Sequence, residues 1–100
     1  MEVIINQEDG KTYVKLTGRL DTTNTTAFQE DIEPLFTMDN PDIELDCTDM
    51  EYTSSQGLRA FLMLQKSVSA RGGKLVMTNM KPQVREVFDI TGFSTIINIR

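Results

Sequence analysis

The 100-residue sequence predicts an α/β fold with a single mixed sheet and the element order β-β-α-β-α-β-α-β. Three observations carry this. Apolar runs of strand length alternate with segments whose apolar residues recur at helical spacing. The first two strands are separated by Asp9-Gly10, a hairpin dipeptide, because glycine tolerates positive φ. After that hairpin, strand and helix alternate strictly. This is the pattern of parallel strands joined by helical crossovers, which are expected to be right-handed.

The first strand is expected at Val3-Ile4-Ile5 and the second at Tyr13 to Thr17, with Val14 and Leu16 on one face. Gly18 to Asn24 reads as a polar loop ending in helix-capping residues. A helix is predicted from Thr25 to Phe36, with Phe28, Ile32 and Leu35 on one side. Pro34 cannot donate to the carbonyl of Glu30, so the last turn bends or ends early. Asp39-Asn40-Pro41 marks a turn, and Asp42 to Cys47 a third strand with Ile43, Leu45 and Cys47 on one face. Thr48 to Gln56 reads as a second polar loop. The helix after it is the strongest in the chain. Leu58, Phe61, Leu62, Leu64 and Val68 form its broad apolar side, and Gly72-Gly73 ends it in left-handed backbone. Lys74 to Thr78 is a nearly continuous apolar run, which predicts a strand covered on both faces. Asn79 to Pro82 opens a third helix, with Pro82 tolerated in the first turn and Val84, Val87 and Phe88 as its buried stripe. Gly92 closes it, and Ile96 to Ile99 makes the last strand.

Composition narrows the function. The length fits one domain over residues 1–100, with room for a sheet and its helices but not for a deep substrate cavity. Hydrophobic residues at 39% and charged residues at 25% argue against disorder. The formal net charge of −5 would repel a phosphate backbone or an anionic membrane, and the sequence has no basic patch to offset it. Neither nucleic-acid binding nor membrane insertion is expected. Met1 to Gln7 lacks the basic region and long apolar stretch of a signal peptide, so the expected compartment is the cytoplasm. The single cysteine, Cys47, allows no intrachain disulfide, and the absence of histidine removes Ser-His-Asp and Cys-His chemistry.

In open α/β sheets, partners tend to meet the carboxyl ends of the strands. That places Gly18 to Asn24 and Thr48 to Gln56 at the candidate site. Neither is a Gly-rich phosphate loop, no dinucleotide fingerprint is present, and no cofactor is implied. Ser54-Ser55-Gln56-Gly57-Leu58 is the informative segment. Serine ahead of a helix commonly caps it. It is also a modifiable hydroxyl: a phosphate there would meet the positive end of the helix dipole and free N–H donors. It would add about −1.5 to −2 charges and repel a partner docked there. Spacing alone leaves both roles open. Asp21 either closes the turn or serves the site. Asp46, Asp49 and Glu51 form an acidic cluster of the kind that suits Mg²⁺, but a solvated acidic loop is the commoner outcome, and no metal site is assigned. Arg59, Met63 and Lys66 lie opposite the core stripe on Ser55's side of the helix. They read either as a docking face or as an ordinary surface with one apolar residue.

Tyr52-Thr53-Ser54-Ser55-Gln56-Gly57-Leu58-Arg59-Ala60-Phe61-Leu62 resembles the signature of STAS domains, specifically the bacterial anti-sigma factor antagonist group. Gly18-Arg19-Leu20-Asp21 resembles that family's second signature, and Arg71 to Leu75 and Thr91-Gly92-Phe93 its later pattern. The resemblance implies a phosphorylated serine two residues before the glycine that opens the helix, which here is Ser55. Asp21 matches the acidic residue needed near it, with Ser54, Gln56 and Gly57 as neighbours. Ser54 stands where the best-characterised members carry an aspartate. Thr22, Thr23 and Asn24 read as helix caps or as partner contacts, and together with Arg59, Met63 and Lys66 they are the candidate partner-binding residues. The implied mechanism is partner switching. The unmodified antagonist binds an anti-sigma factor that is also a serine kinase, is released on phosphorylation, and is reset by a phosphatase.

The alternative is a STAS-type binding or scaffold subunit of a signalling or lipid-transport assembly that is not phosphorylated. An enzyme is the weakest reading. No general base is visible near either serine, and the Gly-x-Ser-x-Gly elbow is absent. The chain is therefore expected not to be an enzyme.

Overall fold

Alternation in the first strands sets the layers. Val3 and Ile5 point one way, and Ile4 and Asn6 the other. In the computed structural model, which describes residues 1–100, these residues form β1 (Glu2–Glu8), antiparallel to β2 (Lys11–Leu20). The turn between them is Asp9-Gly10, with φ of 51° and 80°. Positive φ at both positions is the hairpin geometry whose twist matches that of the strands. There follow α1 (Thr25–Asp31), a 3-10 turn (Glu33–Phe36), β3 (Asp42–Thr53), α2 (Ser55–Ala70), β4 (Lys74–Thr78), α3 (Pro82–Ile90), a second 3-10 turn (Phe93–Thr95) and β5 (Asn98–Ile99). The strands lie side by side in chain order, and β2, β3, β4 and β5 run parallel.

All three helices pack on one side of the sheet. Phe28 of α1, Phe61 of α2 and Phe88 of α3 form a row with ring centroids 5.3 and 6.1 Å apart. Val14, Leu16, Ile43, Leu45, Leu75 and Met77 rise from the sheet beneath them. The other face is bare: Ile4 and Tyr13 are exposed, and Val76 is only half-buried. The expectation that β4 is covered on both faces is therefore corrected. Its apolar run comes from Leu75 and Met77 alternating with a half-exposed Val76, not from a second layer of helices. No helix is long and apolar enough to cross a membrane.

Four boundaries differ from expectation. The predicted first helix breaks at Ile32, and Pro34 sits in the first turn of a tighter 3-10 segment instead of continuing it. The second strand does not stop at Thr17: Gly18, Arg19 and Leu20 continue it, and Leu20 is fully buried. The third strand does not stop at Cys47 but runs to Thr53, so the expected loop from Thr48 to Gln56 is strand and then helix. Two register shifts explain the misreading. β3 carries one extra residue between the pairs Lys15–Asp46 and Thr17–Asp49, and another between Gly18–Met50 and Arg19–Tyr52. Its inward residues therefore fall at Cys47, Met50 and Thr53, three apart rather than two. The last strand shrinks to Asn98–Ile99, with Ile96 exposed beyond the 3-10 turn.

At the far end of α2, Gly72 takes φ +70° and closes the helix as expected. Gly73 has a different task, because any Cβ there would strike the Pro41 carbonyl. Arg71 joins this corner. Its guanidinium donates to the carbonyls of Met38 at 2.6 Å and Leu35 at 2.7 Å, tying α2 to the 3-10 turn.

Candidate functional site

The extension of β2 and β3 brings the two candidate segments together. Leu20 and Thr53 are register partners, and the Ser54 N–H donates to the Leu20 carbonyl at 2.8 Å. Gly57 rests on this last rung. A Cβ at 57 would lie 2.7 Å from Leu20 Cδ2 and would strike Thr53 Oγ1. The first turn of α2 can therefore sit on the sheet end only because residue 57 is glycine. The sequence alone does not mark Leu20 and Thr53 as supports, since their adjacency depends on the register shifts.

The two neighbouring serines are used differently. Ser54 is the N-cap of α2, with extended backbone (φ −82°, ψ 172°), and its Oγ accepts from the Gly57 N–H at 3.2 Å. Its side of the chain is closed, at 8% exposure. Ser55 is the first helical residue and is exposed. With Gln56 and Arg59 it borders an open recess of about 280 Å³. The N–H of Leu58 is taken by the Ser54 carbonyl. The N–H groups of Ser55 and Gln56, at the mouth of the helix, have no intrahelical partner. The positive end of the dipole is strongest at this point.

Asp21 begins the adjoining turn. Its Oδ1 accepts from the Thr23 N–H at 2.9 Å and the Thr23 hydroxyl at 2.6 Å. The Thr23 hydroxyl, then the Thr23 amide and the nearby Arg19 charge, hold the Asp21 carboxyl below its ordinary value of 3.8. Asn24 occupies the N-cap position of α1 without capping it. Its amide instead closes the Asp21 turn, accepting from the Asp21 N–H and donating to the Arg19 carbonyl at 2.8 Å. The expectation that Thr22, Thr23 and Asn24 cap the helix is corrected: α1 has no side-chain cap, and Thr23 and Asn24 build a turn around Asp21. Thr22 is exposed beside them.

Arg59, Met63 and Lys66 are exposed along the outer face of α2, with Met63 at 53%. One pair has no marker in the sequence pattern. The register shift sets Arg19 opposite Tyr52, and the guanidinium lies 4.4 Å from the ring centroid. The acidic cluster has partners of its own. Asp46 accepts from the Thr48 hydroxyl, Asp49 pairs with Lys15 at 3.4 Å, and Glu51 lies 3.9 Å from Lys81. The three carboxylates do not converge as a metal site. Burial pushes the Cys47 thiol up to about 12, so it is an inert core residue.

The family model for the STAS domain matches residues 2–100. The chain belongs to that family. This STAS domain is 30% identical over 99 residues to BtrV of Bordetella bronchiseptica, covering 99% of this chain and 85% of that protein. It is 29% identical over 99 residues to the anti-sigma-B factor antagonist of Bacillus subtilis, covering 99% and 90%. Its fold is similar to that of the anti-sigma factor antagonist SpoIIAA in the unphosphorylated form. The TM-score is 0.80 at 19% identity over 99% of this chain and 88% of that one. SpoIIAA in the phosphorylated form matches at a TM-score of 0.72 and 16% identity, over 99% and 91%. A STAS domain of this kind is a binding regulator, not an enzyme.

Proposed function

We propose that this STAS domain is an anti-sigma factor antagonist that binds an anti-sigma factor with serine kinase activity and is released when Ser55 is phosphorylated. One observation carries the reading: Ser54 is held in the cap while Ser55, its neighbour, stands exposed at the mouth of α2. The name of the Bacillus subtilis relative supports the antagonist role, and the existence of a phosphorylated form of SpoIIAA supports a phosphate on this fold.

The partner would act in the cytoplasm. Thr22, Thr23 and Asn24 beside Asp21, together with Arg59, Met63 and Lys66, make its contact surface. The kinase transfers the γ-phosphoryl group of ATP to Ser55 Oγ. An O–P bond forms there, the bond to ADP breaks, and the hydroxyl proton leaves. The phosphate faces the free N–H groups of the helix mouth, so the fold tolerates it, while the added charge repels the docked partner. A phosphatase delivers water to phosphorus and restores the hydroxyl.

Incubation with the cognate kinase and ATP, followed by mass spectrometry, is expected to place a single phosphate on Ser55. Ser55→Ala binds persistently, whereas Ser55→Asp weakens binding about tenfold or more. Equal binding by both variants would rule out the switch. Absence of any phosphate would favour a STAS-type binding or scaffold subunit that is not phosphorylated.

A further inference from the structure

We propose that the partner of this domain docks through an acidic amphipathic segment. An apolar side chain of that segment enters the groove between α1 and α2, and flanking carboxylates meet Arg59 and Lys66. The proposal rests on the antagonist reading for the surface involved, and adds the chemistry of what that surface holds.

The groove has a volume of about 230 Å³, room for an apolar side chain. Ile32 and Phe36 form one wall, and Ala60 and Met63 the other, with Gln29 at the rim. It opens because residue 60 is an alanine where α2 faces the 3-10 turn. An apolar slot between two helices is a common seat for an amphipathic segment. The slot is continuous with the candidate site: Met63 lies one helical turn beyond Arg59, which borders the Ser55 recess.

The distribution of charge selects the occupant. The chain carries 15 carboxylates and only 10 lysines and arginines. Lys11, Lys15, Lys81, Arg85 and Arg100 are each within ion-pair distance of a carboxylate, and Arg71 is held by backbone carbonyls. That leaves Arg19, Arg59, Lys66 and Lys74. Two of these lie along the α2 wall of the groove, and Arg19 lies beside Asp21. Arg19 is engaged by Asp21 and the Tyr52 ring, and Lys74 lies at the start of β4, so Arg59 and Lys66 are the two cations beside the groove with no carboxylate of their own. The direction of the switch agrees. A phosphate at Ser55 would attract a basic partner and repel an acidic one, so release by added charge fits the acidic one. The bare sheet face, with Ile4 and Tyr13, makes no such selection. Glu44 there is already bound by Lys11 at 3.3 Å and Arg100 at 3.6 Å.

The test uses the full unmodified chain, labelled with ¹⁵N, and two synthetic helical peptides with the same leucine ridge. Glutamates flank the ridge in one, lysines in the other. The glutamate peptide is expected to bind about tenfold more tightly and to shift the amides of Phe36, Ala60 and Met63. Arg59→Glu combined with Lys66→Glu reverses the preference. Ala60→Met fills the groove and abolishes binding, and Met63→Ser weakens it without touching the core. Equal affinity, a preference for the lysine peptide, no binding by either, or shifts centred on Tyr13 and Val76 would overturn the proposal. No kinase takes part, so a failed phosphorylation switch and a failed docking chemistry give different results.

Discussion

On its inner side α2 carries Leu58, Phe61, Leu64 and Val68, all buried against the sheet and the neighbouring helices. On its outer side the same helix presents Ser55, Arg59, Met63 and Lys66 to solvent. The inner side chains already have their partners within the chain, and their substitution is paid in stability. The outer ones are exposed, so their substitution is expected to leave the fold intact and, on the proposed function, to change partner binding. One helix thus holds the fold with one face and carries the proposed contact surface on the other, and the two faces can be changed separately.

The largest expected effect is on the inner side. Phe61→Ala removes the ring between Phe28 and Phe88 and should lower stability by about 3–5 kcal/mol in chemical denaturation. Met63→Asp, half a turn away, should change stability by less than about 0.5 kcal/mol while weakening the partner in calorimetry. Similar stability losses for both would erase the distinction between the faces. Next is Gly57→Ala, which forces a methyl group against Leu20 and Thr53 and should cost about 1–3 kcal/mol. A neutral result would mean that the helix mouth can slide on the sheet end.

The serine pair sharpens the comparison further. Ser54→Ala should cost about 1 kcal/mol through loss of the cap, whereas Ser55→Ala should fall within about 0.5 kcal/mol. A reversed order would reassign the cap. The smallest effect concerns Asp21. Its folded carboxyl titrates below the ordinary 3.8, so its contribution is present above the unfolded value and is lost as pH falls through the folded one. Thr23→Val removes the main cause and should raise the Asp21 value toward 3.8 in a ¹³C carboxyl titration. An unchanged titration would transfer the effect to the amide and Arg19.

Much of the fold could be read in the sequence because local chemistry and tertiary packing agree. The Asp9-Gly10 hairpin, the break at Pro34, the inner stripe of α2 and the Gly72 terminus each follow from the residues present. The extension of β3 could not be read, since Asp49-Met50-Glu51-Tyr52-Thr53 has no two-residue alternation until β2 supplies its bulged partner. The same holds for the bare face of the sheet: an apolar run does not reveal how many layers cover it. At the site, helical spacing alone puts Ser55, Arg59 and Met63 on one side of α2, and all three are exposed. The assignment of the cap to Ser54, the Arg19–Tyr52 stack and the Asn24 bonds to the Asp21 turn depend on backbone angles and register.

The hydrogen bond from Ser54 to Leu20 has a mechanical consequence. It ties the entrance of α2 to the end of β2, the strand that leads directly into the Asp21 corner, so both borders of the site are anchored to the same sheet end. Under the proposed switch, a phosphate on Ser55 would act there mainly through its added charge.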